Sequence, residues 1–125
     1  MTETRAVCLN CIDGRVQIPV IHWIKQHCQV DHVDMVTEPG MNGLLANEDH
    51  PIESIIKKLR LSIDNNNARV IVIVGHYDCR GNPVIEALHR EQIRLAVERV
   101  QKAFGAFDLI GLWVNEKWKA ERVGH

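Results

Sequence analysis

The most continuous apolar stretch of the chain is Val70-Ile71-Val72-Ile73-Val74, a run of β-branched residues with no polar position among them. Such continuity marks a strand covered on both faces, as in a parallel sheet. Upstream of it, Ile52, Ile55, Ile56, Leu59 and Ile63 recur every three or four positions and form one apolar stripe of a helix. Pro51 suits the first position of that helix and Asn47 or Asp49 can cap it, while Asp64-Asn65-Asn66-Asn67 ends it. Arg5–Asn10 is short and apolar before a glycine-containing turn, which predicts a first strand. Val20, Ile21, Ile24 and Cys28 predict a helix over Gln17–Cys28, with Pro19 in its first turn.

His32–Thr37 is expected to be a second strand, followed by a long loop over residues 38–50 that contains Pro39, Gly40 and Gly43. Helical stretches are expected over residues 83–89 and 91–104, then a last strand at Asp108–Val114. Trp118 and Val123 lie in a tail expected to cover a sheet edge. Strands alternating with helices imply right-handed crossovers. The expected fold class is therefore α/β: one domain over residues 1–125, with a mainly parallel sheet of four to five strands and helices on both faces. In such sheets chemistry gathers beyond the carboxyl ends of the strands, where strand order reverses. That rule selects the loops at residues 11–15 and 75–81.

Composition narrows the function classes. The chain has 125 residues, with 15 Lys+Arg against 16 Asp+Glu. Near-neutral charge without a basic block gives no expectation of a nucleic-acid partner or an anionic membrane surface. The apolar run at residues 70–74 is far shorter than the roughly 20 residues of a membrane helix. Met1-Thr2-Glu3-Thr4-Arg5 shows no basic segment followed by an apolar one, so the expected compartment is the reducing cytoplasm. Thiols there serve metals or catalysis more often than disulfides.

Four cysteines (Cys8, Cys11, Cys28 and Cys79) and seven histidines therefore need an explanation. The first selected loop is Cys11-Ile12-Asp13-Gly14-Arg15 and the second is Gly75-His76-Tyr77-Asp78-Cys79-Arg80-Gly81. Together they offer two thiols and an imidazole, a sound three-donor set for zinc. His76 and Cys79 stand three apart, which lets one turn present both side chains to one ion. Asn82 and Pro83 fit the cap and first residue of the next helix, whose positive end would then favour a Cys79 thiolate. Cys8 and Cys11 also form a Cys-x-x-Cys pair, but Cys8 lies within the strand and the pair does not open a helix, which disfavours a redox role. Neither Cys11 nor Cys79 has an arginine six positions on, so a Cys-x5-Arg phosphatase loop is absent.

The two loops resemble the beta-class carbonic anhydrases. That family carries a Cys-x-Asp-x-Arg loop followed by His-x-x-Cys, matched here by Cys11, Asp13, Arg15, His76 and Cys79. The resemblance implies a zinc ion held by Cys11, His76 and Cys79, with water or hydroxide in the fourth position, hydrating carbon dioxide reversibly to bicarbonate. It also implies that Asp13 accepts the hydroxide's proton in a hydrogen bond. Arg15 would pair with Asp13 and keep its carboxylate off the zinc. Two thiolates cancel the formal charge of the ion, so activity is expected to climb above neutral pH. A homodimer or higher homo-oligomer is implied as well.

The chain departs from the family pattern in three places. An Arg-Asn-Ala-Gly-type segment is replaced by Thr37-Glu38-Pro39-Gly40-Met41-Asn42-Gly43. Arg80 stands at the first of two glycines, and the family's helical arm ahead of Cys11 is expected to be missing. Two further readings keep the metal site: hydrolysis of carbonyl sulfide or carbon disulfide, and a non-catalytic zinc protein. Asp13 and Arg15 could also be a plain surface ion pair. Cys8 and Cys28 are expected to be core. His22, His27, His32, His50, His89 and His125 are expected mostly on helix surfaces and loops, and Trp113 and Trp118 in packing or an interface. Tyr77 is left open between solvent and substrate.

Overall fold

The computed structural model describes residues 3–124, so His125 lies outside the described residues. The chain runs β1 (Arg5–Asn10), a 3-10 turn (Gly14–Val16), α1 (Gln17–Cys28), β2 (His32–Thr37), α2 (Met41–Ala46), α3 (Glu53–Asn66), β3 (Ala68–His76), α4 (Glu86–Phe104), β4 (Asp108–Val114) and β5 (Ala120–Val123). Among the described residues the strands form one sheet in the order β2-β1-β3-β4-β5. The first four are parallel and β5 returns antiparallel to β4.

Side chains alternate between the two faces of the sheet. Ala6 and Cys8 of β1 and Val70, Val72 and Val74 of β3 meet Val20 and Ile24 of α1 on one face. Val7, Leu9, Ile71 and Ile73 meet Leu45, Ile55, Leu59, Ala96 and Val100 of α2, α3 and α4 on the other. The β-branched run at residues 70–74 thus lies at the centre, buried on both sides. No helix among the described residues is long and apolar enough to cross a membrane.

Four expectations need correction. The loop over residues 38–50 contains α2, whose short, glycine-bearing sequence is held in helix by tertiary contacts rather than propensity. The α3 helix begins at Glu53, after Pro51. Asn47 caps its own turn instead, its Oδ1 accepting from the Asp49 N–H at 3.1 Å, so it is not available to α3. Residues 86–104 form one continuous helix, and Pro83 precedes it in a tight turn closed by the Val84 N–H donating to the Asn82 carbonyl at 2.9 Å. Asn82 does not cap α4, because the helix opens only at Glu86 with Ile85 at the cap position, while the Asn82 amide donates to Asn42 and Gln92 at 3.4 and 2.7 Å. The tail expectation holds in a specific form: β5 pairs with β4, with Val123 opposite Gly111.

This strand order decides where the loops go. After β1 the chain moves outward to β2, and it then crosses back to place β3 on the other side of β1. The loops leaving β1 and β3 therefore diverge at the point of reversal, in front of adjacent strands whose Leu9 and Ile73 are partners.

Candidate metal centre

Cys11 follows β1 directly. Asn10, fully buried, bends back so that its Oδ1 accepts from the Cys11 N–H at 2.8 Å. Gln17 at the start of α1 donates to the carbonyls of Cys11 and Asp13 at 2.8 and 2.9 Å. This first loop is thereby tied at both ends. The second loop leaves β3 at His76 and turns through Asp78, whose φ of +56° is one that aspartate tolerates. The turn brings the buried Cys79 back toward the sheet.

The side chains of Cys11, His76 and Cys79 converge, with their donor atoms all within 4.8 Å of one another. The two sulfurs lie 3.9 Å apart. Two sulfurs about 2.3 Å from a tetrahedral zinc would be separated by roughly 3.8 Å, so the spacing fits that ion. His76 supplies a stronger indication. Its Nδ1 lies 2.7 Å from the Tyr77 carbonyl oxygen, so Nδ1 carries the proton and donates there. The lone pair on Nε2 is then free, and this buried atom has no hydrogen-bond partner. Such orphans are rare in folded proteins, and a metal ion would satisfy this one.

The electrostatics point the same way. A hydrogen bond from Cys79 is the main influence lowering Cys11, outweighing burial, with the backbone N–H groups of Asp13 and Gly40 adding to it. Gly40 N–H donates to the Cys11 sulfur at 3.4 Å. Cys79 is pushed up by its hydrogen bond to Cys11, by burial and by the Cys11 charge. One thiolate and one thiol thus share a proton, which a bound cation would displace. The helix-end expectation for Cys79 is overturned, since α4 opens only at Glu86. The backbone N–H groups of Gly81 and Asn82 serve Cys79 instead.

Asp13 and Arg15 sit at the rim. Arg15 Nε lies 3.1 and 3.2 Å from the two Asp13 oxygens and Nη2 lies 2.7 Å from Oδ2. The guanidinium holds the Asp13 carboxyl down at about 2. The pair is therefore a fork against a carboxylate, more directional than an ordinary surface contact.

The family model described as "Putative carbonic anhydrase" matches residues 1–124. The chain belongs to that carbonic anhydrase family. No curated protein matches the sequence. Among solved structures, a carbonic anhydrase from Glaciozyma antarctica is similar at TM-score 0.63 and 12% identity, over 94% of this chain and 81% of that one. A tetrameric beta-carbonic anhydrase from the filamentous ascomycete Sordaria macrospora is similar at TM-score 0.58 and 13% identity, over 99% and 81%. The beta-carbonic anhydrase CafA of Aspergillus fumigatus is similar at TM-score 0.52 and 15% identity, over 97% and 74%. At these identities the structural likeness establishes a beta-carbonic anhydrase fold.

Several features of this family member were not anticipated. Gly40, at φ +62°, packs so closely on the second loop that a Cβ there would lie 2.5 Å from the Gly81 oxygen. The two departures at residues 37–43 and 80–81 therefore fit each other. His89 is buried, contrary to expectation, because it continues the inward stripe of Ile93, Ala96 and Val100 on α4. Its Nδ1 accepts from Asn42 at 3.2 Å, and burial lowers its pKa. Cys8 is buried and Cys28 half-buried. Trp113 is in the core and Tyr77 is exposed, packing edge-on against Trp118.

Proposed function

We propose that the protein hydrates carbon dioxide reversibly to bicarbonate, with one zinc ion held by Cys11, His76 and Cys79. The unpartnered His76 Nε2 beside two sulfurs carries this reading. When bound, zinc with three protein donors supplies the Lewis acidity that makes water a nucleophile near neutral pH. Tyr77 fixes the ring of His76 through its carbonyl, and the N–H groups of Asp13 and Gly40 stabilise the charge on Cys11. Asp13 accepts the O–H of the attacking water and aims its lone pair at the substrate carbon. Arg15 keeps both oxygens of Asp13 occupied by donors, and so orients that carboxylate.

The working unit is proposed to be one domain spanning residues 1–125, acting in the cytoplasm as a homodimer or higher homo-oligomer. Ile12 and Ile18, 62% and 67% exposed beside the first loop, support a second copy packing there. Stopped-flow hydration by the zinc-loaded protein, beside Cys11→Ser, tests the reading. Fast hydration that climbs above neutral pH and disappears in the variant is expected. Stoichiometric zinc without hydration would overturn the carbon dioxide assignment, and release of sulfide from carbonyl sulfide would then identify a hydrolase. Protein purified without chelator and free of zinc would overturn the metal assignment.

A further inference from the structure

We propose that Trp118 and Asp78 are positioning residues that hold Arg15 on Asp13, so that the turn between β4 and β5 belongs to the active site. The proposal rests on the zinc reading above and deepens it. Four non-glycine residues among those described have positive φ: Gln29, Asn67, Asp78 and Trp118. Gln29 and Asn67 need no special explanation, since they terminate α1 and α3 in the left-handed geometry common at helix ends. Asp78 and Trp118 lie in separate loops, and both touch the same guanidinium.

Arg15 Nη1 lies 3.2 Å from Asp78 Oδ2, and its Nη2 donates to the Asp78 carbonyl at 3.1 Å. Its ζ carbon stands 4.5 Å over the Trp118 ring. Tyr77 closes on the same indole, edge to face at 6.3 Å. Trp118 has a φ of +57°, a conformation that a bulky side chain adopts only when its surroundings impose it. Those surroundings are visible. Trp118 N–H donates to the Asn115 carbonyl at 2.9 Å. Asn115 Oδ1 accepts from the N–H groups of Lys117 and Lys119 at 2.9 and 3.2 Å. The Asn115 amide donates to Glu121 Oε2 on β5 at 2.7 Å. The turn is thus built to present an indole to Arg15.

The reason such a device is needed follows from exposure. The Arg15 side chain is 42% exposed, and an isolated surface pair with Asp13 would spend much of its time apart. Each departure leaves Asp13 Oδ2 free to enter the metal's open position and block it, since only Oδ1 keeps a donor in the Arg15 backbone N–H at 2.9 Å. Asp78 and Trp118 remove that freedom from two further sides of the guanidinium, through charge and stacking.

Cobalt(II)-loaded protein, read by its visible spectrum during titration with azide, tests this directly. Azide perturbs the spectrum of the wild type. Trp118→Ala combined with Asp78→Asn is expected to weaken azide binding by roughly tenfold, from the loss of one stacking and one ionic contact. Adding Asp13→Asn to that pair is expected to restore azide access, because the blocking carboxylate is gone. Trp118→Phe alone keeps an aromatic face and most of the affinity. Full cobalt loading with unchanged azide affinity in the paired variant would overturn the proposal. So would a loss of affinity that Asp13→Asn leaves in place, which indicates general disorder of the turn. A wild-type chain that takes up no cobalt would overturn the metal reading itself.

Discussion

Two polar clusters are packed against the same sheet and they are satisfied in opposite ways. On β2, Asp34 has both oxygens supplied from within the protein: Arg5 donates to Oδ1 at 3.0 Å, and Ser62 and Asn66 donate to Oδ2 at 2.6 and 2.9 Å. At the ends of β1 and β3, Cys11, His76 and Cys79 are more deeply buried, yet His76 Nε2 has no partner and the two sulfurs share one proton. Leaving a buried polar atom unpaired costs about 1–3 kcal/mol. A cluster built for the fold closes on itself, as that of Asp34 does. One that keeps an orphan among soft donors is built for something from outside the chain.

The hardest test of that contrast removes a donor from each cluster. Cys11→Ser or His76→Ala is expected to take bound zinc from one per chain to none, measured by metal analysis. Hydration should then fall by more than about a hundredfold, the upper end for losing only an outer partner of a ligand. Asp34→Asn should leave both quantities unchanged. If metal content falls equally in both, the distinction between the clusters fails.

Zinc itself should separate the clusters next. At a thousandfold excess over Kd, a ligand binding only the folded state stabilises it by about 4 kcal/mol. Wild type and Asp34→Asn should both gain that much on adding zinc in thermal or denaturant unfolding, and lose it to chelator. His76→Ala should gain nothing. Gly40→Ala sharpens the same boundary from the structural side. Its Cβ would meet the Gly81 oxygen at 2.5 Å, on a backbone with φ +62°. Strain and overpacking together suggest a loss of about 3 kcal/mol in denaturant unfolding. Since Gly40 N–H reaches the Cys11 sulfur, zinc affinity should drop as well.

How much of each region was legible depends on the range of the interactions that shape it. The limits of β1, α1, β2 and β4 follow from local periodicity and turn residues, and the structure places them where the pattern does. Strand alternation then yields a mainly parallel sheet and selects the two loops that carry Cys11, His76 and Cys79, while the strand order that brings them together is seen only in the structure. Local reasoning failed where distant partners override it. The α2 helix carries Gly43 within its first turn and stands only because Asn42 and Gly43 pack against His89 and Asn82. Of the apparent caps, Asn47 spends its side-chain oxygen on Asp49 and Asn82 lies four residues ahead of the start of α4. The contacts of Arg15 with Asp78 and Trp118 span long sequence distances and have no local signature. His89 did have one: with Ile93, Ala96 and Val100 it completes a stripe at helical spacing.

The smallest effect concerns the self-satisfied cluster alone, and its sign can be worked out. Burial acts to raise Asp34, but hydrogen bonds from Ser62 and Asn66 and the charge of Arg5 more than offset it, leaving the pKa below the ordinary value. A carboxyl with a depressed folded-state pKa stabilises the protein above its unfolded pKa, about 3.9, and that contribution is lost as pH falls through the lower folded value. Asp34→Asn replaces an acceptor for three donors by an amide whose NH2 group faces Ser62 and Asn66. The expected loss near neutral pH is about 1–2 kcal/mol, typical for hydrogen bonds to a charged group. Measured with chelator present, so that zinc-linked protons do not enter, the gap between wild type and variant should stay constant from pH 7 to about 5 and close below about 4. A gap that persists at the lowest pH would mean that Asp34 acts through shape rather than charge.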